Sequence, residues 1–176
     1  MLIQLLPRLL AGVVFTLLLV LACVSDVRSR RIPNTLVLCI AVLGVGYSLM
    51  LGPGVHGALR AAGGMAVGLM LWLPFSALRM LGAGDVKFFA AASAWLGPAL
   101  AARAAVLSAL FGGLLALVWL AGGRRWMPEL GQPYSTVLQP EGSGELSAAD
   151  RTRQLPYGLA MAAGLAVAAL VASLPR

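Results

Sequence analysis

Two carboxylates in this chain stand apart because the polar stretch that explains the other acids does not reach them. The sequence has six acidic residues. Glu129, Glu141, Glu145 and Asp150 fall within Gly122 to Gln154, a stretch rich in Pro, Gly, Ser and charge where acids need no special account. Asp26 ends the first apolar run, in "CVSDVRSRRIPN", and Asp85 precedes the fourth, in "GAGDVKFFA". Acids at the edge of hydrocarbon are costly and tend to be functional. Two aspartates brought together can hydrolyse a peptide bond. One ionised carboxylate takes a proton from water while the other, protonated, gives one to the carbonyl oxygen. Like charges at short range cannot both ionise, so such a pair shares a proton and titrates as a unit.

Each acid also has a plainer role open to it. Asp26 can pair with Arg30 one turn on, a weak stabilisation on a helix surface. Asp85 can serve as the N-cap of the next helix, worth about 1 kcal/mol, with Lys87 as a snorkelling anchor. An N-cap does not need two glycines, however. Gly82 and Gly84 are expected to free the backbone ahead of Asp85 and to let another chain approach closely. Downstream of Asp26, Pro33 holds Ile32 extended and can open the next helix, so that Pro33 and Asn34 shape a short, defined loop. Helix dipoles alone make Asp85, at an N-terminus, the base and Asp26, at a C-terminus, the acid.

The elements that carry these residues are hydrophobic helices. The composition is 60% hydrophobic and only 11% charged, against about a quarter charged in soluble domains. Several apolar runs are each long enough to cross roughly 30 Å of hydrocarbon. The expected fold is all-α, a polytopic membrane protein with about six transmembrane helices, roughly Leu9–Val24, Thr35–Leu51, Ala58–Leu78, Val86–Leu100, Ala104–Ala121 and Leu155–Leu174. A single membrane-embedded domain, 1–176, is expected, with a flexible polar loop at about 122–154. The 21 glycines suit close helix packing in lipid.

Nine of the 13 Lys and Arg residues lie in the loops after the first, third and fifth spans: Arg28, Arg30, Arg31, Arg79, Lys87, Arg124, Arg125, Arg151 and Arg153. Arg8, Arg60, Arg103 and Arg176 lie on the other side. The positive-inside bias therefore puts both aspartates at the cytoplasmic boundary and both termini in the periplasm. Scattered through loops in this way, the net charge of +7 reads as topology and not as a nucleic-acid surface. Cys23 and Cys39 sit in apolar runs without CxxC spacing, which supports neither a metal site nor a disulfide framework. "VLAC" ending at Cys23 faintly resembles a lipoprotein cleavage site, but five further hydrophobic spans follow, and the basic cluster lies after the first run instead of before it.

These motifs resemble a known family. "GAGD" matches the GxGD signature of intramembrane aspartyl proteases, and "SDVRSRRIPN" is similar to the segment bearing the first aspartate of prepilin peptidases. "LPYGLAMAAG", Leu155 to Gly164, resembles the opening of that family's last helix. The resemblance implies a multi-pass enzyme of the bacterial inner membrane. It would cleave the basic leader from type IV prepilins or pseudopilins on the cytoplasmic side, after a glycine. Asp26 and Asp85 would be the catalytic pair, Gly82 and Gly84 would shape the second loop, and Lys87 of the GxGDxK pattern would position substrate or tune Asp85. Larger members carry a cytoplasmic segment with paired CxxC motifs linked to methylation. None occurs here, so no cofactor, S-adenosylmethionine included, is expected, and the compact length resembles the short peptidases of Flp, or tight-adherence, pili. The expected partners are a prepilin and membrane lipid. The rival readings are a small ion-coupled transporter, which would favour acids near mid-membrane and an inverted repeat, and a non-catalytic pilus assembly subunit.

Overall fold

The computed structural model describes residues 2–29, 32–78, 81–118 and 157–173. The polar stretch 122–154, with four of the acids, lies outside the described residues. So do Arg30, the plainer partner of Asp26, along with Arg31, Arg79 and residues 155 and 156 of the third motif. Among the described residues there are six α-helices and no strand: α1 Leu2–Ser29, α2 Asn34–Leu51, α3 Val55–Ala77, α4 Ala83–Leu96, α5 Pro98–Val118 and α6 Tyr157–Ser173. α1, α2, α3 and α5 are each long and apolar enough to cross a membrane, and their outer faces carry exposed Leu, Val and Met. The apolar part of α6, Gly158–Val171, is shorter.

α4 differs from the others. It has 14 residues, a rise of about 21 Å against roughly 30 Å of hydrocarbon. From Val86 to Leu96 every residue except Lys87 is buried. Its alanines make it slender, and α2, α3, α5 and α6 all pack around it. α4 is the spine of the bundle, and the longer helices are its sheath.

The packing works through small residues and a few buried hydrogen bonds. α2 turns Ile40, Gly44 and Ser48 inward at four-residue spacing, one helix face. Trp95 Nε1 donates to the Ile40 carbonyl at 2.9 Å, Ser48 Oγ donates to the Ala94 carbonyl at 2.7 Å, and the Trp95 ring occupies the space that a side chain at Gly44 would fill. α3 presents Gly57, Ala61, Gly64, Gly68 and Trp72. Gly64 lies against the Ser93 carbonyl, and Gly68 lies against Ser93 Oγ and the Ala90 backbone. In lipid, where apolar side chains gain little from hiding from water, this close approach drives association. Ser108 Oγ of α5 donates to the Met161 carbonyl of α6 at 3.2 Å, with Gly164 packed on Ser108.

α4 ends earlier than hydropathy suggests. The expected break near residues 100–104 falls instead at Gly97, whose φ of +77° is a conformation that residues with a Cβ resist. Pro98 then opens α5 directly, where its missing N–H costs nothing. The carbonyls at this end find a partner in Arg60 of α3. Its Nη2 reaches the Leu96 carbonyl at 3.1 Å and the Trp95 carbonyl at 3.4 Å, and a cation also suits a helix C-terminus. Arg60, read from sequence as a loop charge that sets topology, is therefore a structural cap. Arg60→Met keeps the apolar stem and removes these bonds. A loss of about 1–3 kcal/mol is expected, read as a lower thermal midpoint in detergent.

α1 runs unbroken through Cys23, and Phe15, Leu19 and Ala22 belong to the core. Cys23 and Cys39 are free thiols, Cys39 facing outward on α2.

Candidate active site

The stripe Phe15, Leu19, Ala22 on α1 continues in register to Asp26, one turn before the helix ends at Ser29. The apolar seam therefore carries the carboxylate inward with it. Asp26 is half-buried, and its Oδ2 is shielded from solvent.

Asp85 comes from the other side of the site. The sequence allowed it to be the N-cap of α4, but the N-cap is Gly82, and Asp85 lies inside the first turn. Its N–H donates to the Gly82 carbonyl at 3.1 Å. A backbone hydrogen bond from Gly82 returns to the carboxylate, the arrangement of an acid at the third helical position reaching back to its cap.

The two glycines act differently from the sequence expectation. Gly82 has φ −68° and ψ 139°, open to any residue, and the positive-φ glycines among those described are Gly54 and Gly97. Conformational freedom is therefore not what Gly82 and Gly84 supply. A Cβ on Gly82 would sit 3.3 Å from Asp85 Oδ2, so the missing side chain makes room for the carboxylate. Gly84 is exposed, and a Cβ there would meet nothing within 4 Å, leaving an open approach beside Asp85.

Asp26 lies close enough for its charge to act on Asp85. Asp85, in the turn ahead of the apolar run from Val86 and outside the four long spans, has its pKa pushed up to about 6, first by burial and then by the charge of Asp26; the Gly82 bond opposes this. Both effects act on Asp85 alongside the α4 dipole from which the sequence reading takes Asp85 as the base. Pro33 is the N-cap of α2, in extended conformation, and its carbonyl accepts from the N–H groups of Leu36 and Val37. Pro33 and Asn34 are exposed, and what the structure records of them is the opening of α2. Lys87 is exposed, and residues two apart on a helix do not share a face, so it does not point with Asp85.

Two half-buried carboxylates on separate helices of an apolar bundle can be compared with known proteins. The family model described as the type IV leader peptidase family matches residues 13–117, more than half of the chain and both aspartates. The chain belongs to the type IV leader peptidase family. No curated protein and no solved structure matches it significantly.

A leader peptidase is a hydrolase, and the apolar helices make this one a membrane protein. In such a peptidase the Asp85 proton should depend on Asp26. Removing the neighbouring charge with Asp26→Asn should lower the Asp85 pKa from about 6, though not to the ordinary 3.8, because burial is the larger cause and remains. Infrared titration of the Asp85 carboxyl stretch reads this shift. Sequence reasoning missed two residues that serve the site: Arg60, which fixes the far end of α4, and Gly158 of α6, whose Cα lies against the Asp26 carboxylate. Arg60 left no sequence signal beyond a charge at a span end. Gly158 stands in "LPYG", two residues after a proline, which drew attention to the motif but not to the carboxylate it faces.

Proposed function

We propose that this protein is an aspartic endopeptidase that removes the leader from type IV prepilins or pseudopilins of the Flp kind, at the cytoplasmic face of the bacterial inner membrane. Asp26 and Asp85 are its catalytic pair. The observation that supports this reading is the placement of two acids from separate helices, Asp26 near the end of α1 and Asp85 in the first turn of α4, close enough for the Asp26 charge to act on Asp85. An aspartate with a pKa of about 6 exchanges its proton near neutral pH, as a general acid or base must. The pair holds one proton between them. The ionised partner takes a proton from water as its oxygen attacks the scissile carbonyl, and the protonated partner supplies one to the carbonyl oxygen. As the tetrahedral intermediate collapses and the C–N bond breaks, the partner that took the water proton passes it to the leaving nitrogen, and the other carboxylate takes back a proton from a hydroxyl of the intermediate.

The cytoplasmic assignment rests on the excess of Lys and Arg on the side of the aspartates. Arg28 and Lys87, both exposed at this end, belong to that excess, while Arg60 and Arg103 lie on helices at the opposite end. The open space beside Gly84 suits an extended substrate segment passing Asp85. The basic leader would meet the ionised aspartate and anionic headgroups at this boundary.

Co-expression with a Flp-like prepilin tests the proposal through a mobility shift on a gel. Glu129→Gln and Glu145→Gln, acids of the polar stretch, should process prepilin at the wild-type rate. Loss of processing in either would move the site away from the Asp26–Asp85 pair.

A further inference from the structure

We propose that Gly158 is a positioning residue for the pair, its missing side chain forming the seat that holds the Asp26 carboxylate in place beside Asp85. This inference rests on the peptidase reading above and adds a third helix to the site. Gly158 is buried in the first turn of α6. A Cβ built on it would lie 2.6 Å from Asp26 Oδ2, 3.1 Å from Cγ and 3.5 Å from Cβ. The nearest atoms all belong to one side chain, so a methyl group here would be aimed at that carboxylate. α6 packs against both α1 and α4, the two helices that bear the aspartates, and is itself tied to α5 through Ser108. Each carboxylate thus lies against a Cα that lacks a Cβ: Asp85 against Gly82 and Asp26 against Gly158. Gly158 lies beyond the residues 13–117 matched by the family model.

A second glycine on the same helix shows what a purely structural role looks like. A Cβ on Gly164 would meet not only Ser108 Oγ but also Ser108 N at 2.5 Å and Cα at 2.7 Å, which are backbone atoms that cannot turn aside. α5 and α6 would have to separate. At Gly158 the obstructing atoms are the end of a side chain, and the relief available is rotation of the carboxylate. Gly158→Ala should therefore leave the bundle folded and turn Asp26 away from its partner.

The test compares Gly158→Ala with Gly164→Ala, wild type and Asp26→Asn, each purified as the full chain. Gly158→Ala should keep the wild-type thermal midpoint and KM for a prepilin peptide while kcat falls about a hundredfold, the order expected from misplacing a reacting group by an ångström. The Asp85 carboxyl stretch should titrate at lower pH in Gly158→Ala than in wild type, because the Asp26 charge has moved off. Lys87 and Arg28, the described charges nearest in sequence to the pair, are exposed and unchanged in this comparison. Gly164→Ala should instead lower the thermal midpoint. Wild-type kcat together with an unmoved Asp85 titration in Gly158→Ala would overturn the proposal, as would a fall in midpoint matching Gly164→Ala that accounts for all lost activity. If wild type itself leaves the peptide uncut, the peptidase reading fails, and the Asp85 titration alone then decides whether Gly158 seats Asp26.

Discussion

Asp26→Asn and Asp85→Asn will each leave a co-expressed prepilin at its precursor size, with the loss in rate at least about a thousandfold. Asparagine matches aspartate in shape but can neither take a proton from water nor carry the shared one. The double variant should be no worse than either single one, because residues that act as a unit do not add. Stability should change in the opposite direction. Burial raises the Asp85 pKa from 3.8 to about 6 in the fold, so the folded state favours the neutral carboxyl. Stability from this group is present at low pH and is lost as pH rises from 3.8 to about 6. Asparagine is neutral throughout, so Asp85→Asn should be more stable than wild type at pH 7.5, by about 1–2 kcal/mol after allowance for the exposed edge of the side chain. Thermal unfolding in detergent reads this. A variant that is inactive and more stable than wild type has not lost its activity by unfolding.

Gly64→Val should have the largest effect on the fold. A Cβ at Gly64 would fall within contact distance of the Ser93 carbonyl oxygen, 3.0 Å from Ser93 C and 3.1 Å from Gly97 Cα, all backbone. No rotamer relieves that clash, so α3 must withdraw from α4. Withdrawal weakens the Arg60 bonds at the foot of α4 and the T-shaped contact of Trp72 with Phe89, whose ring centroids lie 5.7 Å apart. The expected loss is about 3 kcal/mol or more, with processing lost as α4 carries Asp85 out of place. Fluorescence of buried Trp72 and Trp95 follows the transition. Gly46→Ala, where a Cβ meets nothing within 4 Å, should be neutral within about 0.5 kcal/mol.

Much of the fold was legible because lipid imposes a simple rule: an apolar run of sufficient length must be a helix. The all-helical fold and the order of the described helices follow from it. That rule says nothing about which helix is enclosed, so α4 read as one span among six, although its alanines and shortness make it the buried one. Hydropathy also ran on through Gly97–Pro98, since both residues are tolerated in apolar runs, and only the backbone conformation at Gly97 shows the break. Asp26 and Asp85 were legible because acids are so rare here that each demands a reason. The roles of Gly82, Arg60 and Gly158 were not, because each acts on a partner in space: a carboxylate one turn on, the end of another helix, and a side chain far away in the chain. The helix-dipole reading of acid and base used the one field visible in sequence, whereas burial and the Asp26 charge, which raise the Asp85 pKa, are visible only in the fold.

The central claim is that this chain cuts a prepilin with Asp26 and Asp85. Purified protein in liposomes, given a synthetic prepilin segment with a basic leader, a glycine and an apolar helix, tests it most directly when the products are weighed by mass spectrometry. The account predicts scission after the glycine by wild type and an intact peptide with Asp26→Asn or Asp85→Asn. Cleavage at the wild-type rate by either variant, or an intact peptide with wild type, would contradict it.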